Sequence, residues 1–335
     1  MKNMKSKVMC LTLLVGLMGL TACGGQGGSQ GPVSQASEQP STVASSTSSA
    51  AAQQKPKYEV SIDKGDGNPE KSQVEIGTPL TKPADPTAPA GKVFYGWKNT
   101  KNGGQIWNFE NEKLNAVWQD VALEPVFVPS GVNPQVFEAE VCPDIEELEG
   151  ATYSGGQQGL GLIYTDFDNE YGTSGEYHDA KYANEPGCFV HYLYIRGSTL
   201  TWELESDVAA ENVTLFARFG AEYGVESEDG YDKTSWVDDT GFPITVNGVA
   251  QKYGKITFHD IERNNQGGFL PLQDFFISAS ISLVAGKNTI QMTVDNDVTV
   301  NGTIQSSAPC VDCIKLYSTS NITWPTAALE YLDLK

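Results

Sequence analysis

Residues 199–219, TLTWELESDVAAENVTLFARF, decide the fold. In Leu200-Thr-Trp-Glu-Leu204 apolar and polar residues alternate with the two-residue period of a half-buried strand, which turns Trp202 inward. Val213-Thr-Leu-Phe-Ala-Arg-Phe219 reads as a second strand close behind it. Outward from this pair the signature recurs at Val136–Cys142, Cys188–Ile195, Ile244–Val246, Phe275–Leu283, Thr289–Val294 and Val311–Tyr317. Short turns such as Asn247-Gly248 and Ala285-Gly-Lys-Asn288 separate several of these segments. Many short strands punctuated by turns predict an all-β sandwich over residues 135–318 rather than alternating strands and helices. About 185 residues suffice for one hydrophobic core of this kind.

Upstream, Tyr58-Glu-Val-Ser-Ile62 alternates in the same way and runs into the turn Asp63-Lys-Gly-Asp-Gly67. Val93-Phe-Tyr-Gly-Trp97 and Val121–Val128 are further apolar patches, and no segment sustains a helical apolar period beyond two turns. Residues 57–128 therefore read as a second, smaller β module with Trp97 and Trp107 in its core, joined to the sandwich by the turn-rich Pro129–Pro134.

Composition limits the function. With 335 residues, 39% apolar and 19% charged, the chain is too polar for a polytopic membrane protein and too apolar for wholesale disorder. Its 42 acidic against 22 basic residues give a net charge of −20, which repels phosphate backbones and anionic lipid surfaces. Nucleic acid is excluded as a partner, while neutral ligands and divalent cations are favoured. His178, His191 and His259 lie far apart in sequence and form no metal or proton-transfer motif.

The N-terminus MKNMKSKVMCLTLLVGLMGLTAC combines a basic start with an apolar run from Val8 to Leu20, too short to span a bilayer and fitting an export signal. From Gly24 to about Lys55 the chain is Gly, Ser, Gln, Ala and Thr, a composition that cannot bury enough surface to order itself. It is expected to be a disordered tether with an r.m.s. span of roughly 30 Å.

No Gly-x-Ser-x-Gly, phosphate loop or dinucleotide fingerprint occurs. The acid pairs Asp144/Glu146/Glu147, Glu226/Glu228/Asp229 and Asp238/Asp239 lie in turn-rich stretches where solvated charge is the default. A non-enzyme is expected. Cys142, Cys188, Cys310 and Cys313 allow three disulfide pairings, with Cys142 and Cys313 on strands expected to be neighbours. The Cys310-Val-Asp-Cys313 spacing falls in a predicted strand, without the helix N-terminus that a redox site needs.

Aromatics in polar loops are harder to explain as core than aromatics in strands, and ligand rings stack on such faces with amides or charged groups beside them. Two long insertions, Tyr164–Gly187 and Tyr223–Phe242, hold aromatics among Gly, Asp and Asn. From the second, Tyr223, Tyr231 and Trp236 are the candidate stacking residues, with Arg263, Asn264 and Asn265 as polar partners.

Three resemblances extend these readings. Leu20-Thr-Ala-Cys23 resembles the lipobox of bacterial lipoproteins, which implies a signal peptide at 1–22, cleavage before Cys23 and diacylglycerol on its sulfur. With each buried methylene contributing about 0.8 kcal/mol, such a terminus holds the protein at the outer face of the cell membrane through its lipid alone. The run Gly77-Thr-Pro-Leu-Thr-Lys-Pro-Ala-Asp-Pro-Thr87, with Phe94-Tyr-Gly-Trp97, Gly103-Gly104 and Trp107-Asn-Phe109, resembles the internalin B-repeat, or Listeria–Bacteroides repeat. It implies a β-grasp-like module over residues 57–128, acting as a spacer. The chain departs from that family in its last strand, Pro125-Val-Phe-Val128.

The larger module resembles carbohydrate-binding modules of families 6 and 35. The resemblance rests on Phe137-Glu-Ala-Glu140, Leu200–Leu204, Val213–Phe219, Ile244-Thr-Val-Asn-Gly248, Leu283–Gln291 and Val311-Asp-Cys-Ile-Lys-Leu316, in that order. It implies a jelly-roll β-sandwich over 135–318, binding of polysaccharide or glycan without catalysis, and a structural calcium held by Glu138, Glu140 and Asp312. Glu138 and Glu140, two apart on a strand, are expected to project from one face, and three carboxylates suit a hard cation. Cys310 stands where the family often has a ligand-binding asparagine. The alternative function is a structural or adhesive surface protein that grips a host or neighbouring protein. Residues 319–335 form an extension beyond the last expected strand.

Overall fold

Strand alternation is met along most of the described residues. The computed structural model describes residues 55–111, 114–142, 162–164, 189–191, 196–221, 225–226, 233–260, 270–296, 298–300, 303–305 and 308–331. The leader, Cys23 and the tether lie outside the described residues.

The smaller module comprises β1 (Lys57–Ile62), β2 (Glu70–Glu75), β3 (Lys92–Asn99), β4 (Gln105–Ile106) and β5 (Val121–Pro129). β1 pairs antiparallel with β2 and parallel with β5, and β5 pairs antiparallel with β3, giving the mixed sheet of a β-grasp. Its core gathers Val60, Trp97, Trp107, Val117, Val121 and Leu123. Buried Asn115 stitches the proline-rich crossing to this core. Its Oδ1 accepts from Trp107 Nε1 at 2.7 Å and its Nδ2 donates to Leu80 O at 2.9 Å.

The sandwich contains β6 (Gln135–Glu138), β7 (Leu162–Tyr164), β8 (Phe189–His191), β9 (Thr199–Ser206), β10 (Ala210–Ala221), β11 (Val225–Glu226) and β12 (Lys233–Asp238). There follow β13 (Ile244–Val246), β14 (Val249–Ala250), β15 (Lys255–Asp260), β16 (Leu270–Leu283), β17 (Gly286–Thr293), β18 (Val298–Val300) and β19 (Thr303–Gln305). β20 (Cys310–Tyr317), β21 (Ile322–Thr323) and a short helix, Thr326–Tyr331, close the described chain. One sheet runs β16-β10-β20, with β6 and β8 sharing the far edge of β20. The facing sheet runs β14-β13-β17-β9-β21. The architecture is an all-β jelly-roll sandwich.

Between the sheets lies one core. Leu200, Trp202 and Leu204 point into it from β9, and Leu215, Ala217 and Phe219 from β10, all essentially inaccessible. Trp202 Nε1 donates to Phe137 O at 3.1 Å, so the indole satisfies its one polar group across the sandwich. The C-terminal extension belongs to the same fold: Ile322 pairs with Ser206 of β9, and Ile322 and Trp324 enter the core.

The spacer expectation is overturned by the packing of the two modules. β4 pairs with β16 through Gln105 and Phe275, so both modules share one continuous sheet within a single compact unit, Gln54–Lys335. Asn102 clasps β15, donating to Thr257 O at 3.0 Å and accepting from Thr257 N at 2.6 Å. The reason lies in the outer face of β10. Phe216 is fully buried there beneath Tyr95, Val126 and Val128 of the smaller module, with ring centroids of Tyr95 and Phe216 4.5 Å apart. An apolar outer face needs a cover, and the smaller module supplies it.

Trp202→Ala is expected to destabilise the chain by about 3–5 kcal/mol in urea unfolding, and Trp202→Phe by about 1–3 kcal/mol through the donor lost to Phe137. A Trp202→Phe variant as stable as the wild type would show that the hydrogen bond contributes nothing. At the seam, Gly104 has φ +77° and a Cβ there would lie 2.5 Å from Phe276 O, whereas Gly67 has φ +74° and open space around it. Both alanine variants should carry roughly 1–3 kcal/mol of backbone strain. Gly104→Ala should melt measurably lower than Gly67→Ala, and equal melting temperatures would mean the seam is loose.

Candidate functional site

Strand register brings two of the three carboxylates named as candidate metal ligands, Glu138 and Asp312, together. β20 pairs with β6 so that Cys313 faces Glu138, and with β10 so that Cys313 faces Arg218. Arg218 in turn faces Asp274 on β16. Directly opposed residues of antiparallel strands share a face. Glu138, Cys313, Arg218 and Asp274 therefore form one row across four strands of the outer face. The register slips between Arg218 and Phe219, which leaves Asp312 as the extra residue of a β-bulge. A bulge re-aims side chains, and here Asp312 joins its neighbour's row instead of pointing away.

Within the row, ligand atoms of Glu138, Asp312 and Cys313 lie within 4.8 Å of one another. Arg218 Nε approaches Asp312 Oδ2 at 3.1 Å, and the Cys313 thiol donates to the same oxygen at 3.5 Å. At the other end, Lys315 Nζ donates to both oxygens of Asp274 at 2.8 Å and Tyr95 OH donates to Oδ2 at 3.0 Å.

Burial, reinforced by the Asp312 charge, pushes the Glu138 carboxyl up to about 8. Burial raises Asp312 to about 6 despite the opposing pull of Arg218. Burial also pushes the Cys313 thiol upward, so it is a protonated hydrogen-bond donor rather than a thiolate ligand. Two half-buried acids this close resist ionising together.

Glu140 departs from the expected geometry. β6 stops at Glu138 and residues Ala139–Val141 coil into a 3-10 turn that buries Ala139, Val141 and Cys142. The alternation that would hold Glu138 and Glu140 on one strand face ends there, and the Glu140 side chain lies outside the described residues. Trp236 is likewise not in a loop. It sits on β12, paired with Thr257 in a six-residue ladder to β15. Its Thr-Ser-Trp-Val surroundings carry strand propensity despite the acidic flanks. Tyr223, Tyr231, Arg263, Asn264 and Asn265 lie outside the described residues.

Cys142, Cys310 and Cys313 are all buried, and no disulfide joins Cys142 to Cys313: Cys313 faces Glu138 and Asp312 instead. Cys310 packs with Phe189 and Leu272, so the position where a ligand-binding asparagine was expected is core here. Sequence reading missed Arg218, Asp274 and Lys315. The available signal was Arg218 itself, a cation interrupting an otherwise apolar strand.

No protein-family model matches the chain. Among solved structures it is similar to a family 35 carbohydrate binding module from an environmental isolate, at 17% identity over 51% of this chain and 96% of that one, with a TM-score of 0.28. A family 35 carbohydrate binding module from Clostridium thermocellum gives 19% identity over 55% and 98%, with a TM-score of 0.30. The CBM36-1 domain of a multidomain xylanase from the hindgut metagenome of Trinervitermes trinervoides gives 14% over 55% and 96%, with a TM-score of 0.26.

A carboxyl raised in the folded state stabilises below its unfolded value, 4.5 for Glu138, and loses that contribution as pH rises through the folded value near 8. Asp312 adds a slope of the same sign. In chelator, the melting temperature should therefore fall between about pH 5 and 8, and Glu138→Gln should flatten the decline. A wild-type melting temperature that rises over this interval would contradict the raised Glu138 and Asp312 carboxyls.

Proposed function

We propose that this chain is a cell-surface lipoprotein that binds polysaccharide or glycan without catalysis, on a calcium-stabilised sandwich. The observation that carries the reading is the meeting of Glu138 and Asp312, 174 residues apart in sequence, at the place the family resemblance implied. The other motifs of that resemblance fall in order on β6, β9, β10, β13, β17 and β20, all strands of the two facing sheets.

Calcium takes six to eight hard oxygens. Glu138 and Asp312 fit as two of its carboxylate ligands, Glu140 is the proposed third, and main-chain carbonyls complete the set. A bound ion would supply positive charge there, so that Glu138 and Asp312 could hold it as carboxylates. Its role is structural. Sugar rings stack on aromatics at the edge of the sandwich, with Tyr223, Tyr231 and Trp236 as the proposed platform and Arg263, Asn264 and Asn265 as hydroxyl partners. Affinity per site is modest, because sugars exchange water hydrogen bonds for protein ones.

The alternative, adhesion to a protein partner at the cell surface, is favoured by one feature: Cys310 and its neighbours are core where a sugar-binding asparagine was expected. A glycan array with the full chain separates the two. Defined glycan hits that weaken on Trp236→Ala support sugar binding, and a silent array beside a specific protein pull-down supports adhesion. Calcium should raise the melting temperature of the wild type and leave Glu138→Gln less changed. Equal shifts in both would remove Glu138 from the site.

A further inference from the structure

Where the smaller module meets the sandwich, the shared sheet is joined by only the two-residue strand β4. On either side of that narrow seam the modules diverge and leave an open cleft of about 310 Å³. This is the lower end of the range for small-molecule sites, which favour such junctions.

We propose that this cleft is a binding site for a neutral mono- or disaccharide unit, separate from the edge of the sandwich. The choice of sugar as ligand rests on the carbohydrate-binding reading above; the cleft itself stands on its geometry. Its aromatic side comes from the smaller module. Phe94, Tyr95 and Phe109 are half-buried, each with ring surface left toward solvent, and Trp107 lies behind them. Phe94 is locked edge-on to Trp97 with centroids 5.4 Å apart, and Phe109 leans on Trp107 at 6.4 Å. Rings already fixed by neighbours lose little freedom on meeting a pyranose face.

The polar side comes from β16. Gln273 Oε1 accepts a hydrogen bond from Gln105 Nε2, which leaves its amide nitrogen to donate. Tyr95 and Lys315 make three hydrogen bonds to Asp274, filling three of its roughly four acceptor positions and holding it in place. One wall thus offers apolar rings and the other offers a fixed donor and a fixed acceptor. A sugar, with a C–H face and a hydroxyl rim, matches both walls, whereas a purely apolar ligand would strand the polar one. The charges lining the cleft balance, Lys82 and Arg218 against Glu110 and Asp274. Balanced walls in a chain of net charge −20 favour an uncharged ligand.

The test titrates the full chain with cellobiose, xylobiose, mannobiose and β-1,3-galactobiose, read by tryptophan fluorescence and saturation-transfer NMR. At least one disaccharide should bind and perturb the emission, since Trp97 and Trp107 line the cleft. Phe109→Ala should weaken it roughly tenfold. Glu110→Trp, which fills the mouth from an exposed position outside both cores, should abolish it even if Phe109→Ala proves unstable. A disaccharide affinity unchanged in both variants overturns the cleft. So does a flat titration alongside persistent hits on a longer-glycan array, a result that leaves the sandwich reading standing. A silent array with cleft-dependent disaccharide binding does the reverse.

Discussion

Strand β10 is covered on both faces, and the rest of the structure follows from that constraint. Its inner side chains, Leu215, Ala217 and Phe219, belong to the sandwich core. Its outer Phe216 lies among Tyr95, Phe276 and Tyr317, within 5.7 Å centroid to centroid of each ring. A strand gripped this way cannot shift without disturbing two packed layers, because close-packed interiors do not deform continuously. Arg218, next on the same outer face, is thereby fixed, and with it the acidic row on one side and the intermodule cleft on the other. The smaller module and the sandwich pack as one compact unit.

The electrostatics follow from the same sheet. Glu138, Asp312, Arg218, Lys315 and Asp274 share its outer face, partly buried, and two of the acids are held by neighbours: Asp274 by Lys315 and Tyr95, Asp312 by Arg218. Glu138 is the member left to bind a proton or a cation. That is the physical ground for the proposal of a structural ion at this end of the row, where the Cys313 thiol is a hydrogen-bond donor to Asp312.

Much of this was legible in the sequence, for reasons tied to particular residues. Alternation in Leu200–Leu204 gave the burial of Trp202, because a strand with one wet face has only one way to orient. The near-continuous apolar run Val213–Phe219 carried the two-sided burial of β10, although the smaller module's role as its cover was not evident. Gly103 and Gly104 stood out only as part of a family resemblance, yet added Cβ atoms would strike Ile256 and Phe276 of the sandwich. Close backbone approach leaves no trace in sequence beyond the glycine itself. The pairing of β12 with β15 was hidden because acidic and turn-forming residues flank Trp236. Asp312 was found through the family resemblance, whereas its ion pair with Arg218 depends on a bulge that sequence periodicity does not encode.

The central claim, that both modules are locked into one unit along the outer face of β10, is tested most directly by native-state hydrogen exchange at the seam. The amide of Phe276 donates to Gly104 O at 2.9 Å. It should exchange only through global unfolding, at the same opening free energy as the amides of Trp202 and Leu215 in the sandwich core. Exchange of Phe276 through a local opening, while those core amides stay protected, would show two bodies touching rather than one and would contradict the account.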